Sequence, residues 1–500
     1  MNISLWQSIS KKHESYPALD HSIHADIAII GGGITGITCA LHLVYAGKKV
    51  IVIDANEIGG MTTGASTGNL YVPVQPLYQN IIKKFNLETV KTISQARSFA
   101  IDYIEKNIIQ KNIKCNYARR PWYGYCNNNK RLSILENEYE AFQKIGLSVN
   151  YTKDLPIPVK FSKAIIMENQ ARLNPLQYVL DLAHDLKNKG CLLHSNTRAI
   201  SVKEDSDGCH IITADGYKIT SQDVVIATHT PLGVNLVQLF TAPYRSYVVA
   251  AKVKDNNYPE GHFWDFNQHH HSVCTHATTS KQPDLLLVAG SHHKTGQDPN
   301  MQLHFKDLGR YLIDHLNIKE FEFNWSAQHY HSADTIPYIG LANRFVKNTY
   351  MATGFFSDGL IYGTLGGLLV GDLILKRDNP WAHLFNSNRF TPKASAGFLL
   401  KENTNTFAQY YKDMPGPVEK PEDVRIGQAK VIFYQNEKLA VYRDEKKLHV
   451  VCAVCPHMKG IVNWNNAEKT WDCPCHGSRF MPDGKYLEGP AKFDLEKRET

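Results

Sequence analysis

Long apolar runs are missing from this chain of 500 residues. The longest candidate, 364–375, is short and interrupted by Gly366, Gly367, Gly371 and Asp372. A membrane-crossing helix needs roughly 18 apolar residues or more, so no membrane span is expected. The opening segment, MNISLWQSISKKHESYP, has no apolar stretch of the kind a secretory signal carries. Blocks of like charge are missing as well. The net charge is +7, and the basic pairs Lys11-Lys12, Lys83-Lys84, Arg119-Arg120 and Lys446-Lys447 lie far apart. That pattern describes a solvated surface, and no nucleic-acid partner is expected. Internal repeats and low-complexity tracts are absent, and 43% apolar with 21% charged residues is a globular composition. Cysteine is sparse and uneven: ten residues, six of them between 39 and 274, four at 452, 455, 473 and 475. A chain this long needs no disulfide staples, so a reducing, cytoplasmic setting is expected. The four late cysteines are then a metal or redox candidate.

What is present reads first as an α/β chain followed by an all-β module. Residues 25–30 (ADIAII) are a β-branched apolar run suited to a buried parallel strand. GGGITG follows at 31–36, and Ile37, Ala40, Leu41 and Val44 then recur at helical spacing, with Gly47 as a stop. Val50–Ile53 is a second strand ending in Asp54. Helices are expected at 85–112, 134–145 and 175–189, a strand at 224–227, and a β-rich region over 240–330. A further strand at 348–352 leads through a Gly-rich turn into an apolar helix ending near Lys376. Residues 379–424, rich in Asn, Pro, Ser, Lys and Glu, read as a linker over the surface. Residues 425–500 hold short strands (AKVIFY, LAVYRDE, LHVVCAV) with regular turn signals.

The first βαβ unit carries a dinucleotide signature. Gly31 allows a tight turn, Gly33 lets the backbone approach a pyrophosphate, and Gly36 lets helix and strand pack closely. The free N–H groups of the helix start, at Ile34 and Thr35, favour phosphate. Asp54, with Ala55 beside it, stands at a strand end where a carboxylate can accept ribose hydroxyl bonds. This unit alone does not distinguish FAD from NAD.

The late segment YMATGFFSDGLIYGT (350–364) resembles the D-amino-acid-oxidase-like flavoproteins, a family that includes sarcosine and glycine oxidases. The resemblance runs over roughly 22–378. It implies a Rossmann-like FAD-binding part (about 22–75, 175–235 and 335–378) and a β-rich substrate part (about 76–174 and 236–334). It also implies that Gly354, Phe355, Gly359 and Leu360 lie at the flavin. By the same resemblance Ser66 and Thr67, in GGMTTGAST, and Thr228, in VVIATHTP, lie near the cofactor, with a turn role as the plainer reading. Lys294, in GSHHKTG, falls where sarcosine-oxidase-type enzymes carry a lysine near flavin N5. His293 and His331 are candidate bases, and His271, His276, His292 and His329 share their region. Tyr247, Trp264, Trp325 and Tyr330 are candidate pocket aromatics. Many relatives bind a substrate carboxylate with an Arg in the strand that reads HHHSVCTHATT here (269–279). No Arg is present there, Cys274 or His276 takes the place, and Arg245 is the possible substitute. No Cys occurs in 325–334, where covalent relatives attach the flavin, so FAD is expected to be non-covalent.

The second constellation is Cys455-Pro-His457, fifteen residues, then Cys473-Pro-Cys-His476. Two thiolates can hold one iron and two imidazoles another, and a Cys2His2 zinc site is the competing reading of the same ligand count. The flanking WDCPCHGSRF and DGKYLEGPA resemble Rieske [2Fe–2S] domains over about 425–495, here a small β-sandwich. The resemblance makes Cys455, Cys473, His457 and His476 the ligands and places Ser478 on a cluster sulfur. Two departures from high-potential members are Gly460, where a disulfide partner of Cys475 would stand, and Phe480 in place of a Tyr. The second removes a hydroxyl bond to a ligand sulfur and predicts a lower potential.

FAD and a one-electron centre on one chain predict oxidation of an amine or amino-acid-like substrate at its C–N bond, with electrons relayed to an external acceptor. Two alternatives stay open. One is an electron-transfer component between a reductant and a partner protein. The other is an oxygen-using oxidase with a structural or redox-sensing cluster.

Overall fold

In the computed structural model the described residues are 2–11, 15–267, 270–278, 283–412 and 420–499, the side chains of 410–412 excepted. The expected first unit is present: β1 (Ile23–Ile30), α1 (Ile34–Val44) and β2 (Val50–Ile53). β1 pairs in parallel with β2 on one side and with β3 (Lys218–Ile226) on the other. Thr349–Thr353 extends this sheet beyond β3, and Leu192–His194 extends it beyond β2. The strands are buried along most of their length, which is why they read as apolar runs rather than alternating ones.

Helix α2 (Gly359–Ile374) lies across α1 through a row of glycines. A Cβ at Gly363 would stand 2.7 Å from Ile34 Cγ2, at Gly367 2.6 Å from the Thr35 carbonyl oxygen, and at Gly371 2.6 Å from the His42 ring. The glycines that broke the longest apolar run therefore let two helices touch backbone to backbone. That contact sets the N-terminus of α2 beside the N-terminus of α1.

The second sheet has nine strands. At one edge β4 (Thr241–Val253) runs between β5 (Leu285–Lys294) and β6 (Ile318–Ser332), antiparallel to both. Ser272–His276 pairs with β5; residues 269 and 279 of the segment read as one strand lie outside the described residues.

The stretch expected to be a linker holds a 21-residue helix, α3 (Pro392–Lys412). Its alanines, leucines, lysines and glutamate are good helix formers, and proline suits a first helical turn. Asn386 and Asn388 lie just before it, and Pro392 is its first residue. Residues 413–419 lie outside the described residues. α3 is tied to the second sheet: Glu402 pairs with Lys294 and accepts from Tyr244 Oη at 3.1 Å, and Lys294 Nζ donates to Asn405 Oδ1 at 2.9 Å.

The C-terminal module consists of a three-stranded and a four-stranded antiparallel sheet. It sits against the rest of the chain. Arg245 of β4 forms an ion pair with Glu468, both side chains at most 4% exposed, and Glu468 also takes Arg479 at 2.8 Å. Gly296 (φ +69°) lies so close that a Cβ there would stand 2.8 Å from the Asp472 carbonyl oxygen. Among the described residues no helix is long and apolar enough to cross a membrane.

Candidate active site and metal centre

The N-termini of α1 and α2 open on one long cavity. Gly31, Gly33, Ile34 and Thr35 line it at the first turn, and Asp54 and Ala55 at the end of β2. Ser66, Thr67 and Thr228 line it from loops, and Phe355, Gly359 and Leu360 from the start of α2. Gly36 and Gly354 act behind the wall. A Cβ at Gly36 would fall 1.9 Å from the Gly31 carbonyl oxygen, and Gly354 turns at φ +78° against Ser332. Asp54 accepts from Gly32 N at 2.7 Å and Asn56 N at 2.8 Å. Burial nevertheless raises its pKa. Thr228 donates to its own turn, to the Thr230 carbonyl at 2.7 Å.

At the other end the walls are Tyr71, Trp264, His270, Ser272, His292 and His329. His329 is 4% exposed, and its Nε2 has no hydrogen-bond partner among the described residues. Burial, followed by the neighbouring His331 and His292, holds it well below the ordinary histidine range. His292 exposes its ring to the cavity deep inside the protein. Burial first, then His270, His293 and His271, push it down to about 3. The cavity thus offers neutral imidazoles, able to accept a proton or hydrogen bond from a bound group.

Of the three candidate catalytic residues, Lys294, His293 and His331, none is among the residues lining this cavity. Lys294 is engaged by Glu402 and Asn405 of α3. His293 stands against Tyr247 and His304, its Nε2 3.0 Å from Tyr247 Oη. His331 lies one layer behind His329, stacked on Tyr244 and Phe356. Trp264 lines the cavity, whereas Tyr247, Trp325 and Tyr330 do not. Arg245 is not available to a substrate carboxylate at this cavity, because its guanidinium is buried against Glu468 and Ser326. Cys274 lies in the core with Trp6 and Trp325.

The metal centre is built from two loops. His457 and His476 face each other edge to face with centroids 4.9 Å apart. The Nδ1 atoms of both are buried and without a partner among the described residues. The Cys455 thiol is hydrogen-bonded to Cys473 and to Ser478. Two thiols side by side and two orphaned imidazole nitrogens fit a two-iron cluster. Among the described residues no three His, Cys, Asp or Glu side chains gather about one point, and a cluster that takes two ligands per iron requires no such gathering. The Cys475 sulfur lies against Gly460, 2.5 Å from where a Cβ would be.

The two sites adjoin. Gln328 lines the cavity, and its Nε2 donates to the Gly477 carbonyl at 3.0 Å, next to His476. Tyr330 Oη donates to the His476 carbonyl at 3.1 Å, and its ring meets His229 on the cavity wall. Tyr486, Leu487, Glu488 and Gly489 of the C-terminal module line the cavity themselves. Arg198 lies over the Tyr486 ring, and His229 stands 3.7 Å from Glu488. No sequence signal marks these contacts, because they join segments more than a hundred residues apart.

Residues 26–373 match the model of the FAD dependent oxidoreductase family, DAO. The chain belongs to this family. Residues 414–497 match the Rieske [2Fe-2S] domain. Nearly the whole DAO–Rieske chain is shared with YhfW of Bacillus subtilis, a protein named for a Rieske 2Fe-2S centre: 33% identity over 492 residues, 97% of this chain and 95% of that one. Gamma-glutamylputrescine oxidoreductase of Escherichia coli is 22% identical over 397 residues, 74% of this chain and 88% of its own. Among solved structures, glycine oxidase from Geobacillus kaustophilus has the same fold over 73% of this chain and 99% of its own, with a TM-score of 0.62 at 18% identity. This DAO-family protein is therefore an oxidoreductase that binds FAD and a [2Fe–2S] cluster.

Proposed function

We propose that this oxidoreductase oxidises the C–N bond of a small amine and passes the electrons singly, through the Rieske centre, to an external acceptor in the cytoplasm. Bound FAD supplies a two-electron acceptor and the cluster a one-electron carrier. The relay rests on one observation above all: Gln328 lines the cavity and also holds the loop of the cluster ligand His476. Non-covalent FAD would be held at Gly31, Gly33, Asp54, Ser66, Thr67 and the start of α2.

The amine reading rests on the other end of the cavity. Among the described residues that line this end of the cavity, with Tyr71, Trp264, His270, His292 and His329, there is no Arg or Lys. Arg97, behind Tyr71, is fully buried and bound to the Tyr71, Val72 and Pro73 carbonyls, so nothing there matches a substrate carboxylate. Aromatic walls exclude water and suit an alkyl chain. His329 Nε2, buried and unengaged, accepts a hydrogen bond from the N–H of a substrate bound as the neutral amine and orients its nitrogen. His331 and Phe356 back this imidazole and fix its plane.

The test is anaerobic addition of an amine panel, including gamma-glutamylputrescine, to the holo-protein. Flavin absorbance and the electron paramagnetic resonance of the reduced cluster are followed together. Bleaching of the flavin with no reduced-cluster signal would end the relay reading. Bleaching by α-amino acids in preference to amines would end the substrate reading.

A further inference from the structure

The cluster ligand His457 belongs to the C-terminal module, yet its outer nitrogen is held by the flavoprotein half. His457 Nε2 lies 3.1 Å from the Gly233 carbonyl oxygen and 3.1 Å from Gln238 Oε1. The orientation of the Gln238 amide is fixed by its other bonds. Its Nε2 donates to the carbonyls of Pro231 at 2.9 Å and Gly233 at 2.7 Å, and its Oε1 accepts from Asn235 N at 3.1 Å. A flipped amide would set two carbonyl oxygens against Oε1 and two N–H groups against each other. Gln238 is 5% exposed, so water does not offer an alternative. Both neighbours of His457 Nε2 are therefore acceptors, and that nitrogen carries the proton. The buried Nδ1, left without a partner among the described residues, is the bare nitrogen turned to the metal.

We propose that Gln238, with the Gly233 carbonyl, is a positioning residue of the flavoprotein half that presets the tautomer of His457 and lowers the reduction potential of the cluster. An acceptor on the outer N–H makes an imidazole ligand more basic and favours the oxidised metal. The potential then depends on the module being seated, because Gly233 and Gln238 lie more than two hundred residues upstream of the ligands they touch. The inference concerns only the chain's hold on its cluster. It stands or falls independently of the substrate and of the proposed relay.

The experiment is a redox titration of full-length holo-protein followed by electron paramagnetic resonance, with iron and flavin content measured for each variant. Gln238→Leu removes the acceptor and should shift the one-electron equilibrium about tenfold toward the reduced form, about 59 mV upward. Gln238→Glu puts a charged acceptor in the same place and should shift it downward by a similar amount. Damage to packing alone would move both variants in one direction. If Gln238→Leu fails to hold iron, the near-isosteric Gln238→Met replaces it with the same expected rise. Shifts of the same sign in the Leu (or Met) and Glu variants, or no shift in either, would overturn the proposal.

Discussion

The ion pair between Arg245 and Glu468 makes a quantitative test of how the two halves hold together. Consider Arg245→Leu. Breaking a buried pair by removing one partner costs about 3–5 kcal/mol, mostly because a charge is left uncompensated. Here the remaining charge is not abandoned: Glu468 Oε2 keeps Arg479 at 2.8 Å and Asn465 Nδ2 at 3.3 Å. Arg245 also carries a burden of its own, since its Nε and Nη1 are buried with no partner among the described residues. Both points place the loss at the low end, about 3 kcal/mol, or about two orders of magnitude in the seating equilibrium. Hydrogen exchange of the holo-protein should show faster exchange across 463–480 and 294–297, with β1 and β2 unchanged. Glu468→Gln closes a double-mutant cycle on the thermal transition. Neutralising both partners should cost less than the sum of the single changes by about 1–2 kcal/mol. Additivity within about 0.5 kcal/mol, with exchange at 463–480 unaltered, would refute the assignment of this pair as a latch.

Three further outcomes are expected. Gly36→Ala should yield protein without bound flavin, seen as loss of visible flavin absorbance, because its Cβ would overlap the Gly31 carbonyl at 1.9 Å. His329→Leu should lower kcat/KM for the amine about tenfold, the order expected for one lost hydrogen bond, with flavin and iron content unchanged. Stability should fall as pH drops below about 6.5, the ordinary histidine value. Burial first of all depresses His262 to about 3, His331 to about 3 and His293 to about 4, so the unfolded chain takes up protons that the folded chain refuses. Urea midpoints measured from pH 7 to pH 4.5 should therefore decline, and a flat profile would contradict this account.

The parts of the fold that could be read in advance are those fixed by local chemistry. The apolar run of β1 and the glycines at its end follow from the needs of a strand and a tight turn, and Asp54 stands at the end of β2. The four candidate cluster ligands stand out for a similar reason, since their spacing lies within two short loops. Helix α3 was read as linker because Asn386, Asn388 and Pro392 at its start weighed more than the good helix formers that follow. Lys294 and His293 are strand-end residues, and which face they point to depends on strands and helices far away in sequence. The roles of Gln328 and Gln238 have no sequence signature, and the 486–489 turn, though part of the DGKYLEGPA stretch, carries no sign that it lines the cavity. All matter because of what folds against them.

The turn 486–489 also constrains the order in which the protein can be made. The chain emerges from its N-terminus, so the cavity lacks the wall supplied by Tyr486, Leu487, Glu488 and Gly489 until the C-terminal module has been synthesised and seated. A truncation near the C-terminus is accordingly a lesion in flavin retention as much as in iron loading. Expressing the module as a separate polypeptide would leave a vestibule with a missing wall. Seating the module thus completes the cavity wall as well as the C-terminal fold.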